Sequence, residues 1–313
     1  MAYEYSTSRS SLDHRVTGAT GASARRCGTG GERLELPYAG QLPSIFFVGP
    51  PRTATTWLHS VFKDRMNLPR LKETYFFDKL YAKGFHWYLS HFDAASAHRT
   101  KAEMAPSYFY SGDARHRIAA AAGAVKIVVT LRDPVARLYS LYKMRYSNAV
   151  FSWSFEEACE RDSELRATGR YAPDLIAWQQ CFGSDQVLLL LYEDMQSDPQ
   201  AWVDRICNFL EMERFRLRDE QLAPVHSSEP SLIPRHPRWT RLAVGVGDLV
   251  HARQWEGAIT LIRRLRLRRF FLENGQSFPK LDPKVVQRLR HNLITDIEET
   301  ELILGRDLSM WKS

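Results

Sequence analysis

The segment Ser44-Ile-Phe-Phe-Val-Gly-Pro-Pro-Arg-Thr-Ala-Thr-Thr56 joins an apolar run to a helical pattern through a loop of small and hydroxyl-bearing residues. The run 44–48 is apolar almost throughout, which is typical of a parallel strand covered on both faces. Apolar residues between Trp57 and Phe62 then repeat at helical spacing. Backbone N–H groups and the helix dipole at such a junction favour an anion. The alternative is an ordinary turn whose hydroxyls cap the helix.

Two further apolar runs, 125–131 and 186–191, have the same character, and each precedes a helical pattern. The pairs Asp133-Pro134, Asp198-Pro199 and Asp282-Pro283 predict helix starts, because Asp caps a helix and Pro fits its first turn. Strands that alternate with helices indicate an α/β protein. We therefore predict an α/β fold in which helices flank a central parallel sheet. Because the loop 49–56 resembles the phosphate loop of nucleotide hydrolases, we expect this fold to be P-loop-like, with three layers.

Composition narrows the classes of protein. A chain of 313 residues, 44% hydrophobic and 25% charged, is ordinary for a folded domain. Four cysteines without a C-x-x-C pair argue against a disulfide scaffold and a zinc site built on thiolates. Neither a membrane-length apolar stretch nor an apolar N-terminal signal is present, so we expect a cytoplasmic protein. We predict a flexible leader over residues 1–40 and one domain over residues 41–313.

The formal charge of the chain is +7, and much of the excess lies in the segment Leu261–Phe270, which carries five arginines and no acidic residue. Such a segment serves an anionic ligand, a membrane surface or nucleic acid, or is simply a solvated helix face. We expect no nucleic-acid partner and leave a peripheral membrane contact open. The sequence does not predict an oligomeric state.

The loop departs from the ATP-binding pattern G-x-x-x-x-G-K-[ST]. Ala54 stands where the second glycine belongs, Thr55 replaces the lysine, and the cation comes earlier, at Arg52. A cation at that place neutralises a leaving 5′-phosphate but does not reproduce the lysine contact with a triphosphate.

A second anion motif follows the run 125–131. Arg132 directly precedes the next helix and Ser140 lies two turns into it, so we expect both to face one phosphate. Arg137 either joins them or solvates the helix. Two anion sites at the carboxyl ends of parallel strands indicate one ligand with phosphates at two separate positions.

These motifs resemble those of sulfotransferases that use 3′-phosphoadenosine 5′-phosphosulfate (PAPS). Pro51-Arg-Thr-Ala-Thr-Thr-Trp-Leu58 is similar to the P-K-S-G-T-T-W-L loop of the cytosolic enzymes, and Lys72-Glu-Thr-Tyr-Phe-Phe-Asp78 is closer to the heparan sulfate sulfotransferases. Other segments similar to the superfamily are Ala105-Pro-Ser-Tyr-Phe109, Leu191-Tyr-Glu-Asp-Met195 and, as in many bacterial members, Gly305-Arg-Asp-Leu-Ser-Met-Trp311. The resemblance thus extends over about residues 44–311.

The resemblance implies PAPS as sulfuryl donor, no metal ion, and a hydroxyl or amine of a small molecule, lipid or glycan as acceptor. Arg52 takes the place of the family's lysine beside the leaving group, although an arginine cannot give up a proton. Glu73 matches the catalytic glutamate and is the candidate general base, with His86 in reserve. The residues that the resemblance places on the donor are Arg52, Thr53, Ala54, Thr55, Thr56, Trp57, Arg132, Ser140, Tyr192 and Arg235.

Some departures from the heparan group concern the acceptor. Met104 replaces the lysine of E-K-T-P-S-Y, and Trp57 replaces an arginine of some members, which removes two cations. We therefore expect a small metabolite, a lipid or an uncharged glycan rather than heparan. Arg235 is the candidate substitute for the family's nucleotide-closing loop.

Two other functions remain open at the level of the sequence. An ATP-dependent kinase with a degenerate loop would need a carboxylate for magnesium, and Asp133 and Asp194 are the candidates at strand ends. A non-catalytic module that keeps the nucleotide pocket is the third.

Overall fold

The computed structural model of the chain describes residues 38, 40–148, 150, 152–222, 232–233 and 276–313. These residues belong to two compact units. The larger unit holds residues 38–137, 168–222 and 287–313, and the smaller one holds residues 138–167, 232–233 and 276–286.

Several predictions from the sequence lie outside the described residues. They concern nearly all of the leader 1–40, the substitute residue Arg235 and the arginine-rich segment Leu261–Phe270. These remain predictions, as does the single domain 41–313.

The larger unit is built on a parallel sheet whose four strands, in the described part of the chain, are β1 (Ile45–Phe47), β2 (Ala102–Met104), β3 (Lys126–Leu131) and β4 (Val187–Leu191). Their spatial order is β2-β1-β3-β4. Helices flank the sheet, so the predicted fold class is confirmed, as are the three predicted strands. The strand β2 was missed because a glutamate, Glu103, lies at its centre.

The α-helices of the described residues are α1 (Thr55–Phe62), α2 (Gly84–Leu89), α3 (Gly112–Ala121), α4 (Pro134–Ser147), α5 (Phe155–Arg161), α6 (Ser163–Ala167), α7 (Ala172–Phe182), α8 (Tyr192–Ser197), α9 (Pro199–Leu210), α10 (Asp219–Leu222), α11 (Pro283–Leu304) and α12 (Ser309–Lys312). A π-helix spans Phe76–Leu80, and 3₁₀ turns span Tyr81–Lys83, Ala94–Ser96, Pro106–Tyr108 and Ser184–Gln186. The short strands β5 (Leu232–Ile233) and β6 (Gln276–Ser277) pair antiparallel in the smaller unit.

The predicted helix starts are confirmed. Asp133 and Asp198 each accept a hydrogen bond at 2.9 Å from the backbone N–H three residues later, and a proline follows each of them. The helix α11 begins at Pro283, directly after Asp282. Each cap satisfies an N–H group that the first turn of a helix leaves without an intrahelical acceptor.

One apolar core cluster lies between the sheet and two helices. Leu58 and Phe62 of α1 and Ile206 of α9 are completely buried in one apolar cluster with Phe47 of β1 and Val128 of β3. The apolar pattern after the first strand is therefore the buried face of α1. This packing directs the amino end of α1 to the carboxyl edge of the sheet.

Gly49 brings the loop after β1 against the end of β3. A Cβ atom at position 49 would lie 2.4 Å from the Thr130 hydroxyl oxygen and 2.6 Å from the Thr130 backbone nitrogen and oxygen. Such distances leave no room for a side chain, so glycine is required here for a close approach of two backbones. The loop therefore starts in contact with β3.

A buried polar network holds β2 against the segment that follows Glu73. The Glu103 carboxylate is completely buried and accepts hydrogen bonds from the hydroxyls of Tyr88 (2.6 Å), Tyr108 (3.1 Å) and Thr74. The backbone N–H of Phe77 in turn donates to the Tyr108 hydroxyl at 3.1 Å. Burial raises the pKa of Glu103 to about 7, although the three hydroxyl donors lower it.

The smaller unit contains an aromatic pocket of about 330 Å³. Tyr139, Tyr142 and Tyr146 of α4 line it together with Trp153 and Phe278. The Tyr142 hydroxyl donates to the carbonyl oxygen of Trp153 at 2.9 Å, which fixes this ring in the wall.

Among the residues that the structure describes, no helix combines the length and the apolar character that crossing a bilayer requires.

Substituting Gly49→Ala tests the close approach of the loop to β3. We expect the free energy of unfolding to fall by about 1–3 kcal/mol, because the added methyl group meets backbone atoms that cannot rotate away. Urea unfolding measures the loss. Gly112→Ala is the matched control, since its methyl group would meet only an Arg115 nitrogen at 3.8 Å at the start of α3. Equal stability of the two variants would contradict the close approach.

Substituting Glu103→Gln tests the buried carboxylate through the pH dependence of stability. The pKa of Glu103 is about 7 when folded and 4.5 as its ordinary value, so its contribution is complete below pH 4.5 and is lost as the pH rises through 7. We expect the wild type to lose about 3 kcal/mol relative to this variant over that interval. Urea unfolding from pH 4.5 to 8 measures it, with the exposed Glu213→Gln as control. If the stabilities of the wild type and Glu103→Gln changed in parallel over this pH range, the raised pKa of Glu103 would be contradicted.

Candidate active site

The loop between β1 and α1 has a strained backbone at two residues other than glycine. Arg52 has φ +77° and Ala54 has φ +70°, both in the left-handed region that L-residues rarely adopt. The left-handed Ala54 directly precedes α1. Glycine adopts this conformation without strain, which explains the glycine at the same place in the similar loop P-K-S-G-T-T-W-L. Strain of this kind is retained where the surroundings hold the backbone in place, and it is common at functional sites.

Thr53 ties the loop together from inside. Its hydroxyl is completely buried, donates to the carbonyl oxygen of Pro50 at 2.7 Å and lies 2.7 Å from the Thr130 hydroxyl. This hydroxyl therefore points into the protein, and the predicted contact of Thr53 with PAPS stays a prediction. Any contact between Thr53 and a ligand would use its backbone N–H.

The three residues after Thr53 in the predicted donor site lead into α1. Ala54 is partly exposed, Thr55 is the buried first residue of the helix, and Thr56 is exposed. The Thr56 hydroxyl accepts a hydrogen bond from Nζ of Lys72 at 2.6 Å. This brings a second cation to the loop, and the sequence analysis did not assign Lys72 to the donor site.

Arg132 connects the second motif to the first loop. Its Nη1 donates to the carbonyl oxygen of Arg52 at 3.5 Å, and its guanidinium lies 4.6 Å from the ring centroid of Tyr192. Tyr192 is the first residue of α8, directly after β4. The structure thus brings together Arg52, Arg132 and Tyr192, which the sequence predicted from three different strand ends.

Arg137 lies beneath the loop and is completely buried. Its Nε donates to the Tyr171 hydroxyl at 2.9 Å, its Nη1 to the carbonyl oxygen of Pro51 at 3.5 Å, and its Nη2 to the carbonyl oxygen of Thr168. The alternative of a solvated surface arginine is therefore wrong. A buried guanidinium bonded to a loop carbonyl holds the loop from the side of the core.

Ser140 is a buried residue of α4 and belongs to the smaller unit. Its predicted contact with a phosphate stays a prediction. Trp57 packs at 5.9 Å from the Trp202 ring, and its Nε1 donates to the carbonyl oxygen of Gln221 at 3.0 Å. These contacts give Trp57 a structural role, and its predicted contact with PAPS stays a prediction.

Glu73 lies one residue after Lys72, close to the loop. Burial raises the pKa of Glu73, while a hydrogen bond with Tyr75 and the charge of Lys72 lower it. Tyr75 has φ +54° and precedes the π-helix Phe76–Leu80, so the chain turns sharply just after the carboxylate. A carboxylate with a raised pKa is a better proton acceptor than an exposed one.

The reserve base His86 is exposed on α2. Its neighbours Phe85 and Tyr88 pack on Phe76 at centroid distances of 5.4 and 4.5 Å, as expected for an aromatic cluster. His86 itself is exposed and stays the reserve candidate for the base.

The two carboxylates that a kinase would need for magnesium are bound to arginines. Asp133 pairs with Arg290 at 2.9 Å and also caps α4. Asp194 receives two hydrogen bonds from Arg306, one of them at 2.7 Å. Within the described ranges, the structure has no group of three or more His, Cys, Asp or Glu side chains that could hold a metal ion.

Comparisons with known proteins identify the family of the chain. The family model described as "Sulfotransferase domain" matches residues 42–227. Heparan sulfate glucosamine 3-O-sulfotransferase 3B1 of Mus musculus is 30% identical over 184 residues, covering 56% of this chain and 47% of that protein. Bifunctional heparan sulfate N-deacetylase/N-sulfotransferase 3 of Homo sapiens is 29% identical over 194 residues, covering 54% of this chain and 22% of that protein. The chain thus spans about half or less of the length of these relatives.

A solved structure shares the fold. The crystal structure of a sulfotransferase from Alicyclobacillus acidocaldarius superposes with a TM-score of 0.63 at 19% identity and covers 87% of this chain and 99% of that one. The family model, for its part, covers more than half of the 313 residues. This chain belongs to the sulfotransferase domain family.

Proposed function

We propose that the chain transfers a sulfuryl group from PAPS to a hydroxyl or amine of a small-molecule, lipid or glycan acceptor. The observation that carries the proposal is the hydrogen bond from Arg132 to the carbonyl oxygen of Arg52 at 3.5 Å. It means that the Arg132 guanidinium, after β3, lies against the backbone of the loop after β1 that carries Arg52, at one edge of the sheet. Such an edge is where open α/β sheets bind their ligands.

The residues present fit a donor with phosphates at two positions. Arg52 and the N–H groups of the first turn of α1, which have no acceptor within the helix, would hold the 5′-phosphosulfate end. Arg132, with Ser140 as a further candidate, would hold the 3′-phosphate, and Tyr192 would contact the nucleotide. Arg132 supplies a planar fork of donors that suits a phosphate. The donor supplies the activated sulfuryl group.

The chemistry asked of the chain is positioning and charge stabilisation. Glu73 would accept the proton from the acceptor hydroxyl as the bond between the acceptor oxygen and sulfur forms. Arg52 would stabilise the negative charge that the leaving 5′-phosphate gains as the bond between sulfur and the bridging oxygen breaks. Adenosine 3′,5′-bisphosphate is then the second product. No proton has to come from Arg52.

The acceptor class is supported by the relatives and limited by this chain's own residues. Two relatives are named for glucosamine or heparan sulfate, which supports a glycan. Met104, at the place of the heparan-type lysine, is 1% exposed and packs in the core of the larger unit. Trp57 likewise supplies no charge where some of those enzymes have an arginine. Of these two positions only Trp57 is partly exposed, and its lack of charge supports an acceptor with fewer anionic groups than heparan. A cytoplasmic location also stays a prediction.

Ligand-dependent thermal stability tests the donor. We expect adenosine 3′,5′-bisphosphate to raise the melting temperature more than ATP or ATP with magnesium, because only the bisphosphate presents a 3′-phosphate to Arg132. Differential scanning fluorimetry with the three ligands measures the shifts. Stabilisation by ATP with magnesium alone would contradict the proposal and favour a phosphotransferase.

Glu73→Gln separates an enzyme from a binding module. We expect the variant to bind adenosine 3′,5′-bisphosphate like the wild type and to form sulfated product about 10²–10⁴-fold more slowly. Mass spectrometry follows the sulfated products from PAPS with phenols, long-chain alcohols, uncharged oligosaccharides and N-sulfated heparan oligosaccharides as acceptors. Glu213→Gln, at an exposed position, is the control. Unchanged product formation by Glu73→Gln would exclude Glu73 as the base.

A further inference from the structure

Lys72 reaches the donor loop from a different segment of the chain. It lies sixteen residues after Thr56 in the sequence, and its Nζ donates to the Thr56 hydroxyl at 2.6 Å. Thr56 is the second residue of α1 and follows the strained loop directly. The ammonium group is therefore held at the amino end of α1.

The surroundings of Lys72 disfavour its positive charge. Burial lowers the pKa of Lys72; the carboxylate of Glu73 raises it, and the charge of Arg52 lowers it again. Lys72 in turn contributes to a lowered pKa of His59 on α1, for which burial is the main cause. The positive charges of Lys72 and Arg52 therefore repel each other, and a bound anion would reduce this repulsion.

We propose that Lys72 is a second cationic ligand of the 5′-phosphosulfate end of the donor, acting beside Arg52. The inference deepens the proposed function and rests on it. Thr55 stands where an ATP-binding loop has its lysine, and Lys72 brings an ammonium group to the neighbouring residue, Thr56, from outside the loop. An ammonium on a flexible stem with three donors adapts to a phosphate in a way that the planar guanidinium of Arg52 does not.

The two cations have complementary roles in the transfer. When the bond from sulfur to the bridging oxygen breaks, its electron pair remains with the leaving 5′-phosphate. Lys72 stabilises this charge as a cation and keeps its proton, while the proton of the acceptor goes to Glu73. The same ammonium lies close enough to influence Glu73 electrostatically, so Lys72 links the donor loop to the candidate base.

The test compares two nucleotides that differ in the 5′-phosphate alone. Adenosine 3′,5′-bisphosphate and adenosine 3′-monophosphate are titrated calorimetrically into the wild type, Lys72→Met and Lys72→Arg. We expect Lys72→Met to bind the bisphosphate about tenfold more weakly, the loss for one charge-assisted hydrogen bond, and to bind the monophosphate with unchanged affinity. Lys72→Arg keeps the charge and should recover part of the loss. Lys63→Met removes an exposed lysine after the other end of α1 and should match the wild type.

The outcomes separate the two proposals. If the wild type binds the bisphosphate and Lys72→Met binds it equally well, the inference about Lys72 is wrong and the proposed function stands. Equal losses for both nucleotides would show a structural role of Lys72 and also overturn the inference. If the wild type does not bind the bisphosphate at all, the proposed function and the inference fail together.

Discussion

The contact between the loop after β1 and the end of β3 is the constraint on which the candidate site depends. Gly49 leaves no space for a side chain against Thr130, and the Thr53 hydroxyl lies 2.7 Å from the Thr130 hydroxyl. With both ends of the loop held against β3, the residues between them have little freedom. Arg52, with its left-handed backbone, lies between these two ends, and the left-handed Ala54 directly follows Thr53. Such conformations persist only where the surroundings hold them.

Buried charged and polar groups bind the loop and the segment around Glu73 from the side of the core. Arg137 bonds the carbonyl oxygen of Pro51, and Glu103 receives the hydroxyl of Thr74, one residue after the candidate base. Removing such groups from water is costly unless hydrogen bonds replace the lost hydration, and here hydroxyl and carbonyl groups do so. These hydrogen bonds offset the free energy of desolvation and also fix the position of the backbone segments that they join. The loop and the segment around Glu73 are both held in this way.

The sequence was sufficient for the framework of the fold. Three of the four parallel strands and three helix starts were predicted, because continuous apolar runs and Asp-Pro pairs act locally. The strand β2 was missed, since a glutamate at its centre contradicts the pattern of a buried strand until its hydroxyl partners are known. Glu103 was nevertheless visible as the first residue of the segment that resembles E-K-T-P-S-Y.

The candidate site was predicted in part, and the gaps have a common cause. Arg52, Arg132 and Tyr192 were identified from strand ends, and the structure brings them together. The inward hydroxyl of Thr53 and the contact of Lys72 with Thr56 depend on tertiary packing, which spacing along the chain does not encode. No local pattern distinguishes a lysine that folds onto a distant loop from one that is solvated.

A crystal structure of the chain with adenosine 3′,5′-bisphosphate tests most directly whether two strand ends share one ligand. We expect the 3′-phosphate within hydrogen-bonding distance of the Arg132 guanidinium and the 5′-phosphate at the amino end of α1 beside Arg52. A nucleotide bound in the opposite orientation, or bound away from this edge of the sheet, would contradict the division of the two phosphates between Arg132 and Arg52.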